Sequence, residues 1–435
     1  MTASAGRPLS PEDLRILALE DETVAGHTCK VIVLSGAVGL DQLRSSIARR
    51  LDAAPMLGMR LGETGGAPWW MPDPHVDLSA QVVASSLVPG HAAALDEAGL
   101  RIAVARIFEQ HLDRSRPLWR IDVLPRLARG RSALVWRIHH ALADGSTAMR
   151  MAGSVLWDDQ PGAAGDGSAP APSGPAARRP AGHHRLAALG AVARAAPQPW
   201  LRSPFDGDIG ARRAVAFARA GLAELRAAAR AADGATVNDA VLTIVSGGLR
   251  RWLEAHHGHL GAVRVKVPVS LHGLPHDHGA DAARPGNRDS FFCLDLPLAP
   301  ADPAERLASI RQATRTRKQA HDARHLDAVM RELAGAPRLS QFAERVLSHP
   351  RSFALNVSNV PGPRQPVQVL GVPVQAMYSL AEIGEHHALR VAVVSLAGTL
   401  NFGLVADPTL VADVDDLAAC LQAEAAALIS ARPPA

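Results

Sequence analysis

Two adjacent histidines, His139 and His140, open the run His-His-Ala-Leu-Ala-Asp144-Gly145. Imidazole is the side chain best matched to taking up a proton near neutral pH, so one histidine of such a pair can serve as a general base. A carboxylate five or four residues further on can hold the loop that carries them, and a glycine lets the backbone turn closely there. Two other roles are open to the same residues. One histidine of a pair can be purely structural, and His with Asp can ligate a metal. No His-x-x-x-His or Cys-x-x-Cys stands beside them to complete a metal set, so no metal is expected.

The flanking segments explain how these side chains would be positioned. Residues 132–138 (SALVWRI) are short, apolar and rich in branched and aromatic side chains, which predicts a buried strand. Residues 146–156 (STAMRMAGSVL) have helical spacing, with Asp144 or Ser146 placed to cap them. The histidines therefore fall where a strand ends and a helix begins. There a side chain projects beside backbone N–H groups that can stabilise a developing oxyanion.

The whole chain has 435 residues, 47% of them hydrophobic, enough for two domains with their own cores. The net charge of +4 is diffuse and carried almost wholly by arginine, without a basic-aromatic cluster, so nucleic-acid binding is not indicated. Cys29, Cys293 and Cys420 are too scattered for a disulfide framework and fit a reducing cytoplasm. No secretory signal opens the chain and no long apolar stretch would span a membrane.

Between Asp158 and His184 the composition turns to Pro, Gly, Ala and Ser, which predicts a linker or long surface loop. The expected organisation is a first domain over 1–157, a linker over 158–185 and a second domain over 186–435. Ser10-Pro11-Glu12-Asp13 is a good helix opening, with a cap, a proline in the first turn and early acids. After the linker, helices are predicted over 210–232, 236–256, 303–321 and 413–428, and strands over 263–269, 291–296 and 354–357. Residues 389–396 and 400–405 read as a hairpin around Ala397-Gly398-Thr399. Interleaved strands and helices without a Gly-rich phosphate fingerprint predict a two-domain α/β protein with mixed sheets.

Further segments accompany the histidines. They are Leu9-Ser10-Pro11 with Glu20 and His27, Leu112 to Trp119, Thr236-Val237-Asn238-Asp239 and Val267-Pro268-Val269-Ser270. Gly286-Asn287-Arg288, Asn359-Val360-Pro361-Gly362-Pro363 and Leu400 to Asp407 follow. Together, in this order and over nearly the whole chain, they resemble the bacterial wax ester synthase/diacylglycerol acyltransferase family. That family lies within the larger group of CoA-dependent acyltransferases and peptide-synthetase condensation domains that share HHxxxDG.

The resemblance implies two chloramphenicol-acetyltransferase-like α/β domains, with mixed sheets flanked by helices and an active-site tunnel at their interface. It implies fatty acyl transfer from acyl-CoA to diacylglycerol or a long-chain alcohol, at a peripheral membrane or lipid-droplet surface, with no cofactor. An alcohol needs one base to take its proton as it attacks a thioester, so no covalent intermediate is required. His140 is assigned as that base, with His139 in support, Asp144 holding the loop and Gly145 allowing close approach.

Asn238 and Asp239 stand next, as tunnel residues by resemblance or as a plain helix cap. Glu20 is a candidate by resemblance and otherwise an ordinary charge at a helix end; Ser358 and Asn359 are expected near the tunnel. His111 departs from the family, whose members more often carry proline there, as do Cys29 and Lys30. The histidine-rich stretches around His256 to His259 and His272 to His278 read as solvent loops or, less simply, a metal site. Two other functions compete: acylation of a specialised natural-product acceptor, and a catalytically idle paralogue that binds acyl-CoA or lipid.

Overall fold

The computed structural model describes residues 6–86, 94–158, 190–198, 201, 203–258, 260–270, 289–333, 343, 345–384 and 386–431. The Pro/Gly-rich stretch beyond Asp158, residues 286–288, His259 and the loop bearing His272, His276 and His278 lie outside them. Two six-stranded mixed sheets organise the chain.

The first sheet is built around β2 (His27–Leu34), β6 (Trp119–Leu127) and β7 (Arg131–His139). β7 pairs antiparallel with both, so His27 faces His139 across the ladder and Lys30 faces Trp136. β5 (Val82–Ala84) closes one edge in parallel with β6. All of β2 and nearly all of β7 are buried, because both sheet faces are covered. On one face Ile32, Leu34, Leu134, Trp136 and Ile138 meet α2 (Leu40–Arg50) and α5 (Gly145–Val155). On the other, Cys29, Val31, Val33, Ala133 and Val135 meet α4 (Glu97–Phe108). Each fully buried aliphatic side chain contributes about 1.5–3 kcal/mol relative to exposure.

Before this sheet, α1 (Pro11–Ala18) is closed by a reciprocal capping box between Ser10 and Asp13, with proline in the first turn. Asp13 also accepts from the Trp70 indole at 3.1 Å, which ties α1 to a small sheet of β1 (Arg7–Pro8), β3 (Met59–Thr64) and β4 (Ala67–Pro72).

The second sheet has the order β10-β9-β11-β14-β15-β8. Its members are β8 (Ala214–Gly221), β9 (Arg264–Ser270), β10 (Asp289–Asp295), β11 (Leu355–Val360), β14 (Leu389–Leu396) and β15 (Thr399–Ala406). The predicted hairpin is β14–β15, and β11 runs parallel to both neighbours. One face carries Val265, Leu355, Val391 and Leu404 against α6 (Leu222–Ala231), α7 (Val237–His257), α8 (Pro303–Gln319) and α10 (Val414–Ser430). Gly247 and Gly248 of α7 let α10 approach so closely that a Cβ on either would meet Glu424 or Leu421 at 2.1 and 2.5 Å.

Two features depart from expectation. The stretch 210–232 is not one helix: residues 214–221 (AVAFARAG) form β8, and only 222–231 are helical. Alanine favours a helix, but here alternate small side chains pack flat beside β15, so tertiary pairing overrides propensity. The second is a strand exchange. β12 (Gln368–Val369) and β13 (Val372–Ala381) follow β11 in the chain yet extend the first sheet, β13 pairing antiparallel with β2. At this crossing Gly403 of β15 lies so near β13 that a Cβ would stand 2.1 Å from the Ser379 carbonyl oxygen.

Candidate active site

The end of β7 separates the two histidines. His139 is buried, and its backbone N–H donates to Leu118 O at 2.9 Å, at the start of β6. Its ring is held at both nitrogens. The Ala141 N–H donates to Nδ1 at 3.1 Å, so the ring proton sits on Nε2, which faces Glu20 Oε2 at 3.3 Å. His140, one residue on and half-buried, has its backbone N–H bonded to Gly26 O at 2.9 Å.

Glu20 is the anchor of this arrangement. It also meets His111 Nδ1 at 2.9 Å and the Arg114 guanidinium at 3.0 and 2.5 Å. Burial alone would raise its pKa, but the bonds to His139, His111 and Arg114 outweigh that and hold it down at about 2. Glu20 is therefore an ionised acceptor across the working pH range, and it fixes the tautomer of His139. His111, a departure from the family pattern, belongs to this cluster.

Gly26 completes the support and escaped sequence reasoning. Its φ of +64° is left-handed, and a Cβ there would stand 2.7 Å from His139 Nε2. One glycine thus touches both histidines, the first through its bare Cα and the second through its carbonyl. The only hint in the sequence is a glycine directly before His27.

Asp144 is fully buried and caps α5 by accepting from Thr147 N at 2.6 Å. The N–H groups of Gly145 and Ser146, in the first turn, have no acceptor within the helix. Gly145 faces the second sheet, where a Cβ would lie 3.2 Å from Val360 Cγ2. Burial first, then the positive charge of Arg390, push the His140 pKa down to about 4, against the opposing pull of Asp144. At neutral pH its imidazole is uncharged and able to accept a proton.

Lys30 is buried on the same face of the first sheet as α5, its Nζ donating to Ser379 Oγ at 2.6 Å. Burial pushes its pKa down to about 8, partly offset by Cys29 and Asp144. A second clamp joins the lead-in to β2 with the later part of the chain. Arg213 Nε meets Glu382 at 2.8 Å, another Arg213 nitrogen donates to Thr23 O, and Ala25 N donates to Glu382 at 3.3 Å.

The remaining candidates lie on α7 and β11. Asp239 is the partner of Thr236 in the capping box of α7 and accepts from Thr314 at 2.6 Å, tying α7 to α8. Asn238, in the first turn of α7, is half-buried. Ser358 and Asn359 are neighbours on β11 and so point to opposite faces of the second sheet. Ser358 shares its face with Val360 at Gly145, whereas Asn359 is paired with Val393 of the core face. Among the described residues no group of three His, Cys, Asp or Glu side chains could hold a metal ion.

Comparison with known proteins decides the family. The wax ester synthase/diacylglycerol acyltransferase catalytic domain matches residues 9–197, and the C-terminal domain of the same family matches residues 285–428. The chain belongs to this family. It is 29% identical to a putative diacylglycerol O-acyltransferase of Mycobacterium tuberculosis, over 96% of this chain and 94% of the relative. A similar protein of Mycobacterium bovis is 30% identical over 91% of this chain and 86% of its own length.

Among solved structures, the wax ester synthase/diacylglycerol acyltransferase of Marinobacter aquaeolei VT8 superposes with a TM-score of 0.68 at 23% identity, covering 97% of this chain and 98% of that one. The first condensation domain of the CDA synthetase shares the fold, with a TM-score of 0.57 at 18% identity, over 99% and 98% of the two chains. This wax ester synthase/diacylglycerol acyltransferase family member is therefore an acyltransferase with the two-part chloramphenicol-acetyltransferase-like fold.

Proposed function

We propose that the enzyme transfers a fatty acyl group from acyl-CoA to the hydroxyl of diacylglycerol or a long-chain alcohol, with His140 as general base and no cofactor. The observation that carries this reading is the division of labour at the end of β7. His139 is committed at both ring nitrogens to Ala141 and Glu20, while His140 stands beyond the strand with an uncharged imidazole at neutral pH.

As the acceptor oxygen attacks the thioester carbonyl, His140 takes its proton and the carbonyl oxygen becomes an oxyanion. The tetrahedral intermediate then collapses, the carbon–sulfur bond breaks, and the departing thiolate recovers the proton from His140. The imidazolium formed in between is favoured by the charge of Asp144. The first-turn N–H groups of α5 are suited to the oxyanion. Among the described residues no helix is long and apolar enough to cross a membrane, and lipid substrates would bring the enzyme to a membrane or droplet surface from outside.

The test is product analysis with palmitoyl-CoA, offering hexadecanol and dioleoylglycerol separately, for the wild type and His140→Ala. Ester from the wild type and a loss of at least about a hundredfold in the variant supports the mechanism. An unchanged rate in the variant removes His140 as the base.

A further inference from the structure

The face of the second sheet that carries Ser358 and Val360 also carries two cations. Lys266 of β9 pairs with Asn356 of β11, and Asn356 pairs in turn with Arg390 of β14. Paired residues point to the same side, so Lys266, Asn356 and Arg390 form one row. At about 4.8 Å per strand the two cationic residues are rooted about 10 Å apart, with the short Asn356 between them.

Among the described residues neither cation forms an ion pair with a carboxylate, although the charge of Glu12 acts on Lys266 and that of Glu382 on Arg390. Lys266 Nζ stands over the Phe291 ring at 4.1 Å and the Phe353 ring at 5.2 Å, held by aromatic faces. Arg390 donates one N–H to the Glu382 carbonyl at 2.9 Å, and its Nε is buried with no hydrogen-bond acceptor. The Glu382 carboxylate, whose charge acts on Arg390, is engaged by Arg213 and Ala25 N. Asn356 is half-buried and makes no side-chain hydrogen bond among the described residues. Burial pushes the Lys266 pKa down and Arg390 adds to the push, against the opposing pull of Cys293 and Glu12. An anion bridging the row would relieve both.

The row opens toward the base: the charge of Arg390 is felt at His140, and Val360 on the same face packs against Gly145. The phosphates of CoA stand a whole pantetheine arm away from the thioester that His140 must serve. An oxyanion held by Arg390, whose charge acts on His140, therefore fits the acceptor better than the phosphates of the donor.

We propose that Lys266, Asn356 and Arg390 form an oxyanion-binding row, and that the acceptor is an alcohol carrying a carboxylate or phosphate, such as a hydroxy acid. This rests on the acyl-transfer reading and narrows its long-chain alcohol to one with a charged end, favoured over diacylglycerol and simple fatty alcohols because these bring no charge to the row.

The test compares 10-hydroxydecanoate with 1-decanol as acceptors from palmitoyl-CoA, following thiol release by wild type, Lys266→Met and Arg390→Gln. The expected result is a wild-type kcat/KM ratio favouring the hydroxy acid by about tenfold or more, falling by about tenfold in each variant, as loss of one charge-assisted hydrogen bond implies. Because the ratio is internal to each protein, a partly misfolded variant does not distort it. A wild-type ratio near one, or a ratio that both variants keep, overturns the proposal.

Calorimetric titration supplies a readout without turnover. Weaker binding of 10-hydroxydecanoate to Arg390→Gln, with free CoA binding unchanged, supports the row; weaker binding of CoA alone assigns the anion to the donor and overturns it. Thiol release from neither acceptor, with the binding difference intact, would sink the acyl-transfer reading and leave the anion site standing.

Discussion

Replacing Gly26 with alanine sets a methyl group against the ring that supports the catalytic loop. The added Cβ would stand 2.7 Å from His139 Nε2, with the Glu20 Cβ also within 3.5 Å. Ordinary carbon contact begins near about 3.5 Å, so the ring must retreat by about 0.8 Å. Its bond to Glu20, at 3.3 Å, is already long and would not survive that shift. Two costs add. A left-handed alanine costs roughly 1–2 kcal/mol, and a broken buried charge-assisted bond costs roughly 1–3 kcal/mol more. The same shift moves the backbone that holds His140 through Gly26 O, and misplacement of about 1 Å can lower a rate about a hundredfold.

Gly65→Ala separates the two costs. Gly65, at the β3–β4 turn, has a φ of +61° with nothing within 4 Å of a Cβ, so it meets the backbone term alone and keeps the acyl-transfer rate. Urea unfolding and thiol-release kinetics on both variants decide the matter. If Gly26→Ala keeps its rate to within about twofold and loses no more stability than Gly65→Ala, the contact with His139 does not position the site.

Three further outcomes are expected. The acid limb of kcat/KM should lie near pH 4, the value to which burial and Arg390 hold His140, in place of the usual 6.5; a limb at 6.5 in stopped-time assays would contradict this. Lys30 has a folded pKa of about 8, below its unfolded value of 10.5, so the folded state releases its proton first and stability rises between those pH values. The rise is about 3 kcal/mol, it should be absent in Lys30→Met, and denaturant titrations at pH 7.5 and about 10.5 measure it. Gly403→Ala forces a Cβ to within 2.1 Å of the Ser379 carbonyl and should cost about 3 kcal/mol or more, whereas Gly58→Ala, with nothing within 4 Å, should cost little; thermal melts of the pair decide it.

What the sequence disclosed and what it hid follow from how far each interaction reaches along the chain. The Asp144 cap lies three residues from the Thr147 N–H it binds, and the Ser10–Asp13 box has the same span. Such pairs are written in adjacent letters, so the strand–loop–helix around His139 and His140 and the start of α1 could be read directly. The hairpin β14–β15 was equally legible, since Ala397 and Gly398 both take positive φ at its turn. The failure at 214–221 has the opposite cause. Its alanines carry a local preference for helix, and only the pairing with β15, nearly two hundred residues later, makes them a strand.

The site divides along the same line. His140 and Asp144 announce themselves by spacing, but the partners that give them their properties arrive from elsewhere. Glu20 meets His139 across 119 residues, and Lys30 meets Ser379 across 349. Gly26 carries no chemistry of its own and acts only by lacking a side chain. Arg390 changes the basicity of His140 from the neighbouring sheet, a coupling that exists because the chain returns after β11 to add β13 to the first sheet before forming β14 in the second. The motif therefore identifies the reaction, while on the proposed reading the acceptor is chosen by residues that stand outside it. On that reading, two family members with the same seven motif residues should differ in acceptor wherever the sheet face opposite His140 differs. In this chain that face carries Lys266 and Arg390, and its charge is where the specificity should be sought.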